Sequence, residues 1–197
     1  MSFLFMSDVL DWFSEGEVLR RIFSVLLKAA SILLLLGALY QFIRNWALVT
    51  ELGFGGFIGL LWVQLIFIIA TYMILHTIWI RSNEIAGIDP GAYTVIPIFS
   101  QLSRLLGELY AIAAINVGIG GAVILLFARI PWELQQIISS FTPDFFPELG
   151  YGAGAGAGIA IRFLFATLGA GLAALVTFFL LAELLIVLVD IARNTAK

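Results

Sequence analysis

Long uncharged apolar runs alternate with short charged segments along this chain. A helix that crosses the ~30 Å hydrocarbon core of a bilayer needs about 20 mostly apolar residues. Leu52–Ile80, Leu109–Ala128 and Phe163–Ala182 are uncharged runs of that length or more. The shorter run Ala29–Ile43 qualifies only if its span begins near residue 22 and includes Lys28, whose long side chain can reach the interface from within. The pattern therefore predicts transmembrane helices at 22–46, 54–80, 104–129 and 160–192.

Two further segments have the pattern of helices that lie on a membrane surface. Residues 2–19 mix large apolar side chains with Asp8, Asp11 and Glu15, which predicts an amphipathic interfacial helix. Its acidity is unusual for binding anionic headgroups, so contact with a partner subunit is the alternative. In the outer loop 130–158, Pro131 suits the first turn of a short interfacial helix over 131–141.

The two remaining loop features concern how the spans are connected. Gly and Ala alternate over 150–158, which indicates a flexible linker or a helix extension that another backbone approaches closely. In the loop 81–103, the sequence Ile88-Asp89-Pro90-Gly91 predicts a turn, and Ser100 or Ser103 is a candidate cap for the third span. The predicted fold is an all-α integral membrane protein, a single membrane domain over 1–197 built as a four-helix bundle with interfacial helices.

Composition agrees with a membrane location and excludes several other classes of protein. Hydrophobic residues make up 62% of the 197 residues and charged residues 12%, about half the charged fraction of ~25% in a soluble domain. This excludes a disordered chain, a coiled coil and an ordinary soluble enzyme. The absence of cysteine excludes disulfides, thiol catalysis and thiolate metal sites. The net charge of −3 gives no reason to expect a nucleic-acid partner.

The basic residues predict the orientation of the spans. Six of them lie on the side of the N-terminus: Arg20, Arg21, Arg81, Arg104, Arg193 and Lys197. Three lie on the other side: Arg44, Arg129 and Arg162. Because cytoplasmic loops are enriched in Lys and Arg, we expect a multi-pass protein of the plasma (inner) membrane with both termini in the cytoplasm.

Small residues spaced by four predict which helices pack closely. Such residues allow helix backbones to approach each other in lipid. The third span carries Ala114, Gly118 and Ala122. The fourth span carries Ala166, Gly169, Ala170, Ala173 and Ala174. We therefore expect the third and fourth spans to form a close antiparallel pair.

The two hairpins share a weak pattern, and the chain end resembles a known family. Arg21 and Gly37 have the same separation as Arg104 and Gly120, which favours a parallel repeat of two hairpins. The run 181–195, LAELLIVLVDIARNT, resembles the end of an uncharacterised bacterial two-helix membrane domain family. Thr71, at the position that would align with Glu183, departs from that pattern. The resemblance implies a bacterial membrane protein and no particular chemistry.

Ionisable residues inside the spans are the candidate functional residues, because charge in lipid is costly. Counting along each helix places Lys28, His76, Glu108 and Glu183 in the cytoplasmic half, with Gln64 and Asn116 deeper. Lys28 and Glu183 have similar predicted depths, so an interhelical ion pair or separate snorkelling is the structural interpretation. The functional interpretation has two forms. One is a proton or ion path through His76 and Glu183, and the other is contact of one charge with a partner subunit.

The sequence contains no recognisable catalytic motif, and it predicts no cofactor. His76 is the only histidine, and no second strong axial ligand is placed opposite it for haem or chlorophyll. The leading hypothesis is a non-catalytic membrane protein that self-associates or belongs to a larger complex, with the lipid bilayer and a protein or second copy as partners. The alternatives are a small channel or ion-coupled transporter, and a pigment- or lipid-binding subunit.

Overall fold

Four long α-helices form the part of the chain that the structure describes. This computed structural model describes residues 17–46, 54–89, 95–127 and 157–195. The helices are α1 (Glu17–Trp46), α2 (Phe54–Ala86), α3 (Val95–Phe127) and α4 (Ala157–Thr195). Each is long and apolar enough to cross a membrane. The predictions of an all-α fold and of a multi-pass membrane protein with four spanning helices are confirmed.

The helices extend further than the uncharged runs that predicted them. α2 continues to Ala86 and α3 begins at Val95, so much of the predicted loop 81–103 is helical. Pro97 falls in the first turn of α3, where a missing backbone N–H costs little. A charged residue ends an apolar run, but it does not interrupt the backbone hydrogen bonds of a helix. A helix can therefore be longer than its apolar run.

The end of α2 is closed by a short turn. The backbone N–H of Gly87 donates to the carbonyl oxygens of Asn83 and Glu84, at 3.0 and 3.1 Å. Ile88 and Asp89 follow outside the helix, as the predicted turn requires. The rest of that turn, most of the N-terminal helix predicted over 2–19, the helix predicted over 131–141 and most of the Gly/Ala segment lie outside the described residues.

The chain divides into two compact units, and every helix contributes to both. The first unit takes Met1–Leu35, Leu75–Leu109 and Leu175–Lys197. The second takes Leu36–Ile74 and Tyr110–Ala174. In the second unit, α3 and α4 pack around a small core of Ala122, Ala160 and Phe163. In the first unit, buried serines and a cluster of charges join neighbouring helices.

Small residues bring α3 and α4 together in both units. In the second unit, a Cβ atom added to Gly118 would overlap Thr167, and one added to Gly171 would lie 2.9 Å from the Cβ of Ala114. In the first unit, a Cβ atom added to Gly107 would lie 2.9 Å from the Cβ of Phe178. The close antiparallel pair expected from the sequence is thus present between α3 and α4.

The residues of α4 that make this contact differ from those expected. Gly171 and Thr167 are buried against α3, whereas Ala170 and Ala173 are exposed and Gly169 has nothing within 4 Å of an added Cβ. Ala166 and Ala174 are half-buried. α4 carries small residues on more than one face, and their spacing alone does not indicate which face turns toward α3.

Candidate functional site

Arg81 lies at the centre of a polar network in the first unit. Its guanidinium binds both carboxylate oxygens of Glu108 on α3, with Nε 2.9 Å from Oε2. The same guanidinium donates from Nη1 to Glu84 at 2.5 Å and to Gln101 at 3.0 Å. The side chains of Arg81 and Glu108 are only 13% and 21% exposed. A two-pronged contact of this kind between a guanidinium and a carboxylate is directional as well as strong, so it holds α2 and α3 in register.

Buried serines make further polar contacts in the first unit. The hydroxyl of Ser82 on α2 lies 3.0 Å from that of Ser24 on α1. Ser100 and Ser103 on α3 donate to the carbonyl oxygens of Ala182 and Phe178 on α4, at 3.0 and 2.9 Å. Neither serine caps α3, which already begins at Val95. Hydroxyls that bond between helices stabilise their packing in lipid.

Lys28 contacts an aromatic ring of the neighbouring helix. Its ammonium nitrogen lies 5.3 Å from the centroid of the Trp79 ring. The ion pairs of the described residues join Arg21 with Glu17 and Arg81 with Glu84 and Glu108, and Glu183 belongs to none of them. The neighbour of Lys28 is therefore the ring of Trp79. The ion pair with Glu183 that the sequence predicts as one alternative does not form among the described residues.

Helix register explains why Lys28 and Glu183 do not meet. Lys28 lies beside Trp79 of α2. Trp79 is two residues before Arg81, and Arg81 binds Glu108 of α3, so Lys28 lies near the level of Glu108. Gly107, next to Glu108, packs against Leu175 and Phe178 of α4. Glu183 lies five to eight residues further toward the end of α4, which is about 8–12 Å at 1.5 Å per residue. The side chain of Glu183 is exposed at that level.

The remaining candidate residues occupy separate places. His76 is exposed on α2. Gln64 is buried and donates from Nε2 to the carbonyl oxygen of Phe42 at 3.0 Å, which links α1 with α2 in the second unit. Asn116 donates to Ile112 of its own helix at 2.7 Å. Of the four titratable groups that the sequence places in the cytoplasmic half of the spans, Glu108 binds Arg81 and Lys28 lies beside Trp79.

Arg81 and Arg104 are contact residues that the sequence pattern does not predict. The hydropathy pattern puts both residues at the ends of spans, yet Arg81 organises the polar network and the guanidinium of Arg104 lies 5.7 Å from the centroid of the Phe179 ring. The sequence signal at both positions is a polar partner at helical spacing, because Glu84 follows Arg81 by three residues and Glu108 follows Arg104 by four. Within the described ranges, no group of three or more His, Cys, Asp or Glu residues is arranged to hold a metal ion.

Comparison with protein-family models, curated proteins and solved structures finds no match to this chain. The resemblance of residues 181–195 to a two-helix membrane domain therefore stays a prediction.

Proposed function

We propose that the protein is a non-catalytic component of a membrane assembly, in which another protein chain covers one face of α4. The observation that carries this proposal is a row of exposed large side chains, which we call the α4 apolar face. Its members are Leu180, Leu184, Val187 and Ile191, each between 54% and 61% exposed. Counted from Arg162, this row continues along α4 past the ~30 Å that the hydrocarbon core of a bilayer covers.

The length of α4 supports this reading. α4 has 39 residues, which is about 58 Å of helix at 1.5 Å per residue. Arg162, exposed near its start, and Glu183 are 21 residues apart, or about 32 Å. The hydrocarbon core of a bilayer is only ~30 Å thick. If Arg162 marks one edge of the core, Leu184, Val187 and Ile191 lie beyond the other.

Tilting does not remove the mismatch. The apolar run from Phe163 to Val189 contains only one charge, Glu183. To hold these 27 residues inside the core, α4 would have to tilt by about 40°, against an average of ~20° for transmembrane helices. Such a tilt would also place the exposed Glu183 in hydrocarbon, where an unpaired charge is costly. A protein partner can cover the end of this face without either cost.

The polar groups inside the spans support a structural role. Arg81, Glu108 and the buried serines bind side chains or carbonyl oxygens of neighbouring helices. Polar groups with these contacts hold helices together in a membrane. These polar groups hold the four helices together, which supports a structural role for the protein in a membrane assembly.

The mass of the purified protein in mild detergent tests the proposal. We expect a protein mass, corrected for detergent by light scattering, well above the 21.5 kDa of one chain. Replacing Leu184 and Ile191 together by serine should return it to a single chain. The control is Ile186→Ser, because Ile186 is exposed in the same stretch on a different face of the helix. A single-chain mass for the unaltered protein would overturn the proposal.

We also propose that the protein lies in the plasma membrane with both termini in the cytoplasm. The described residues contain four candidate spans, and an even number of spans supports two termini on the same side of a membrane. The excess of Arg and Lys on that side supports the cytoplasmic orientation. Arg20, which donates to the carbonyl oxygen of Ile88 beyond α2, belongs to this basic side.

A further inference from the structure

We infer that Lys28 of α1 and Trp79 of α2 bind the phosphate of an anionic phospholipid on the lipid-facing side of these two helices. The ammonium nitrogen of Lys28 lies 5.3 Å from the centroid of the Trp79 ring. Trp79 is 49% exposed and Lys28 is half-buried, so a lipid can reach both side chains. This pair, which we call the lipid site, belongs to α1 and α2 and does not depend on what covers the α4 apolar face.

Both side chains carry hydrogen-bond donors that the described part of the chain leaves without acceptors. An ammonium group has three N–H donors and an indole ring has one. Lys28 belongs to none of the ion pairs of the described residues. Neither its ammonium nor the indole N–H of Trp79 donates a hydrogen bond to another described residue. The face of the ring attracts the ammonium without accepting an ordinary hydrogen bond, so a phosphate group, with its several oxygen atoms, supplies what the site lacks.

Lys28 lies at the depth where an ammonium meets the headgroup layer of a bilayer. Arg21 and Arg44 are both exposed and lie 23 residues apart on α1, about 35 Å at 1.5 Å per residue. They therefore suit the two edges of a hydrocarbon core that is ~30 Å thick. Lys28 is seven residues inside Arg21, or about 10 Å. Because helical side chains lean toward the N-terminus, its ammonium is directed back toward the headgroups on the side of Arg21.

The residues of α1 beyond Lys28 favour a phospholipid over a free phosphate ion. Ile32 and Leu35 follow Lys28 by four and seven residues, so all three lie on one side of α1. Ile32 is 55% exposed and Leu35 is 41% exposed. An acyl chain that extends from a phosphate at Lys28 covers both apolar side chains, whereas a free phosphate ion gains only the polar contacts.

The charges near the lipid site favour a headgroup without a positive charge of its own. Arg21 lies two turns from Lys28 on the same side of α1. Its side chain is 79% exposed and lies 3.7 Å from Glu17, a surface contact that leaves most of the guanidinium open to a ligand. A phosphate at Lys28 therefore has a second cation beside its headgroup. Phosphatidylglycerol suits this arrangement, whereas the choline of phosphatidylcholine meets a like charge.

Arg81 and Lys28 differ in how their charges are balanced. The guanidinium of Arg81 binds the carboxylates of Glu108 and Glu84. The one carboxylate of α1 belongs to Glu17, eleven residues from Lys28, which is about 16 Å of helix. Within the described ranges, Lys28 is thus a cation inside a span with no carboxylate in contact, and an anionic lipid provides the missing negative charge.

Native mass spectrometry of the full chain in mild detergent tests the lipid site, with phosphatidylglycerol and phosphatidylcholine added at equal concentration. We expect the unaltered protein to bind phosphatidylglycerol more tightly. Lys28→Met should weaken this binding about fivefold, the equivalent of the ~1 kcal/mol that one basic residue contributes beside anionic lipid. The control is Arg44→Met, which removes an exposed cation near the other end of α1 and should leave the affinity unchanged.

Two further variants separate the contacts of the lipid site from the folding of the protein. Lys28→Arg keeps a cation at the site and should keep most of the affinity for phosphatidylglycerol. Arg21→Met changes an exposed side chain and should reduce the preference for phosphatidylglycerol over phosphatidylcholine. Thermal unfolding without added lipid shows that each variant is folded before its lipid binding is compared.

Other outcomes would overturn the inference in distinguishable ways. Equal binding of the two lipids by the unaltered protein would show that no anionic headgroup is selected. Equal losses for Lys28→Met and Arg44→Met would indicate a general attraction between negative lipid and positive protein. Displacement of the bound lipid by excess inorganic phosphate would show that the site takes a free anion. If carboxylates of residues 1–16 cover Lys28 instead, replacing Asp8 and Asp11 by asparagine would raise the affinity for phosphatidylglycerol above that of the unaltered protein.

Discussion

Arg81 illustrates how one charged residue is accommodated inside a spanning helix. Its guanidinium is shared between Glu108 on α3, Glu84 on its own helix and the amide of Gln101. The contact with Glu108 links two helices, whereas the contact with Glu84 stays within one turn of α2. The two carboxylates should therefore contribute unequally to stability, because only the first holds one helix against another.

Replacing Glu108 by glutamine should lower the free energy of unfolding by about 2 kcal/mol. This is less than the ~3–5 kcal/mol lost when a fully buried pair is broken, because Glu84 and Gln101 still bind the guanidinium. Reversible unfolding in mixed detergent and dodecyl sulfate measures the change. The control is Glu84→Gln, which removes a contact of a side chain that is 41% exposed and should cost less than about 1 kcal/mol. Equal losses for the two variants would contradict the assignment.

The contact between the ammonium of Lys28 and the ring of Trp79 should contribute to the stability of the protein. An ammonium over an indole ring contributes about 0.5–2 kcal/mol, more as the pair loses contact with water. The change is measured with Trp79→Leu, Lys28→Met and the double variant. We expect the double variant to lose less stability than the sum of the single variants, with a coupling energy of at least about 0.5 kcal/mol. Additive losses would show that the two side chains do not interact.

Among the elements, the α3–α4 pair depends on glycine where the two helices approach closely. Gly107 and Gly171 leave no room for a side chain, because an added Cβ would lie 2.9 Å from a carbon of the facing helix. Ser103 beside Gly107 also donates to the carbonyl oxygen of Phe178. Close backbone approach and hydrogen bonding between helices therefore support each other at this contact.

A methyl group at Gly107 should force α3 and α4 apart. We expect Gly107→Ala to lower the free energy of unfolding by about 1–3 kcal/mol, the usual cost of overpacking. The matched control is Gly37→Ala in α1, where an added Cβ meets nothing within 4 Å. That change should be neutral or stabilise by up to about 1 kcal/mol, since alanine is the better helix former. Thermal unfolding in detergent measures both, and a neutral Gly107→Ala would contradict the close approach.

At the scale of the whole molecule, the distribution of charge predicts sidedness. The six basic residues on the side of the termini and the three on the other side favour cytoplasmic termini. Single cysteines at Ser2 and Ala196 should both react with a membrane-impermeant maleimide in inside-out vesicles and both be protected in right-side-out vesicles. A cysteine at Ser139, which lies between α3 and α4 in the sequence, should show the reverse. Labelling of the two termini from opposite sides would contradict an even number of spans.

The sequence by itself determined that four helices cross a membrane. A lipid bilayer accepts only segments whose apolar length matches its core and whose backbone groups bond internally, and both properties belong to a single helix. It also indicated a close α3–α4 pair, through Ala114 and Gly118. These predictions required no knowledge of how one helix is turned toward the next.

Only the tertiary structure decided the rotation and register of the helices. It placed Gly171 of α4 against α3 and left Ala170 exposed, and it set Glu183 nearer the helix end than the level of Lys28. It also showed that Arg81, which follows the second apolar run in the sequence, links α2 with α3 through Glu108. Rotation and register are properties of pairs of helices, because they follow from which side chains interlock, and several pairings suit the same hydropathy pattern.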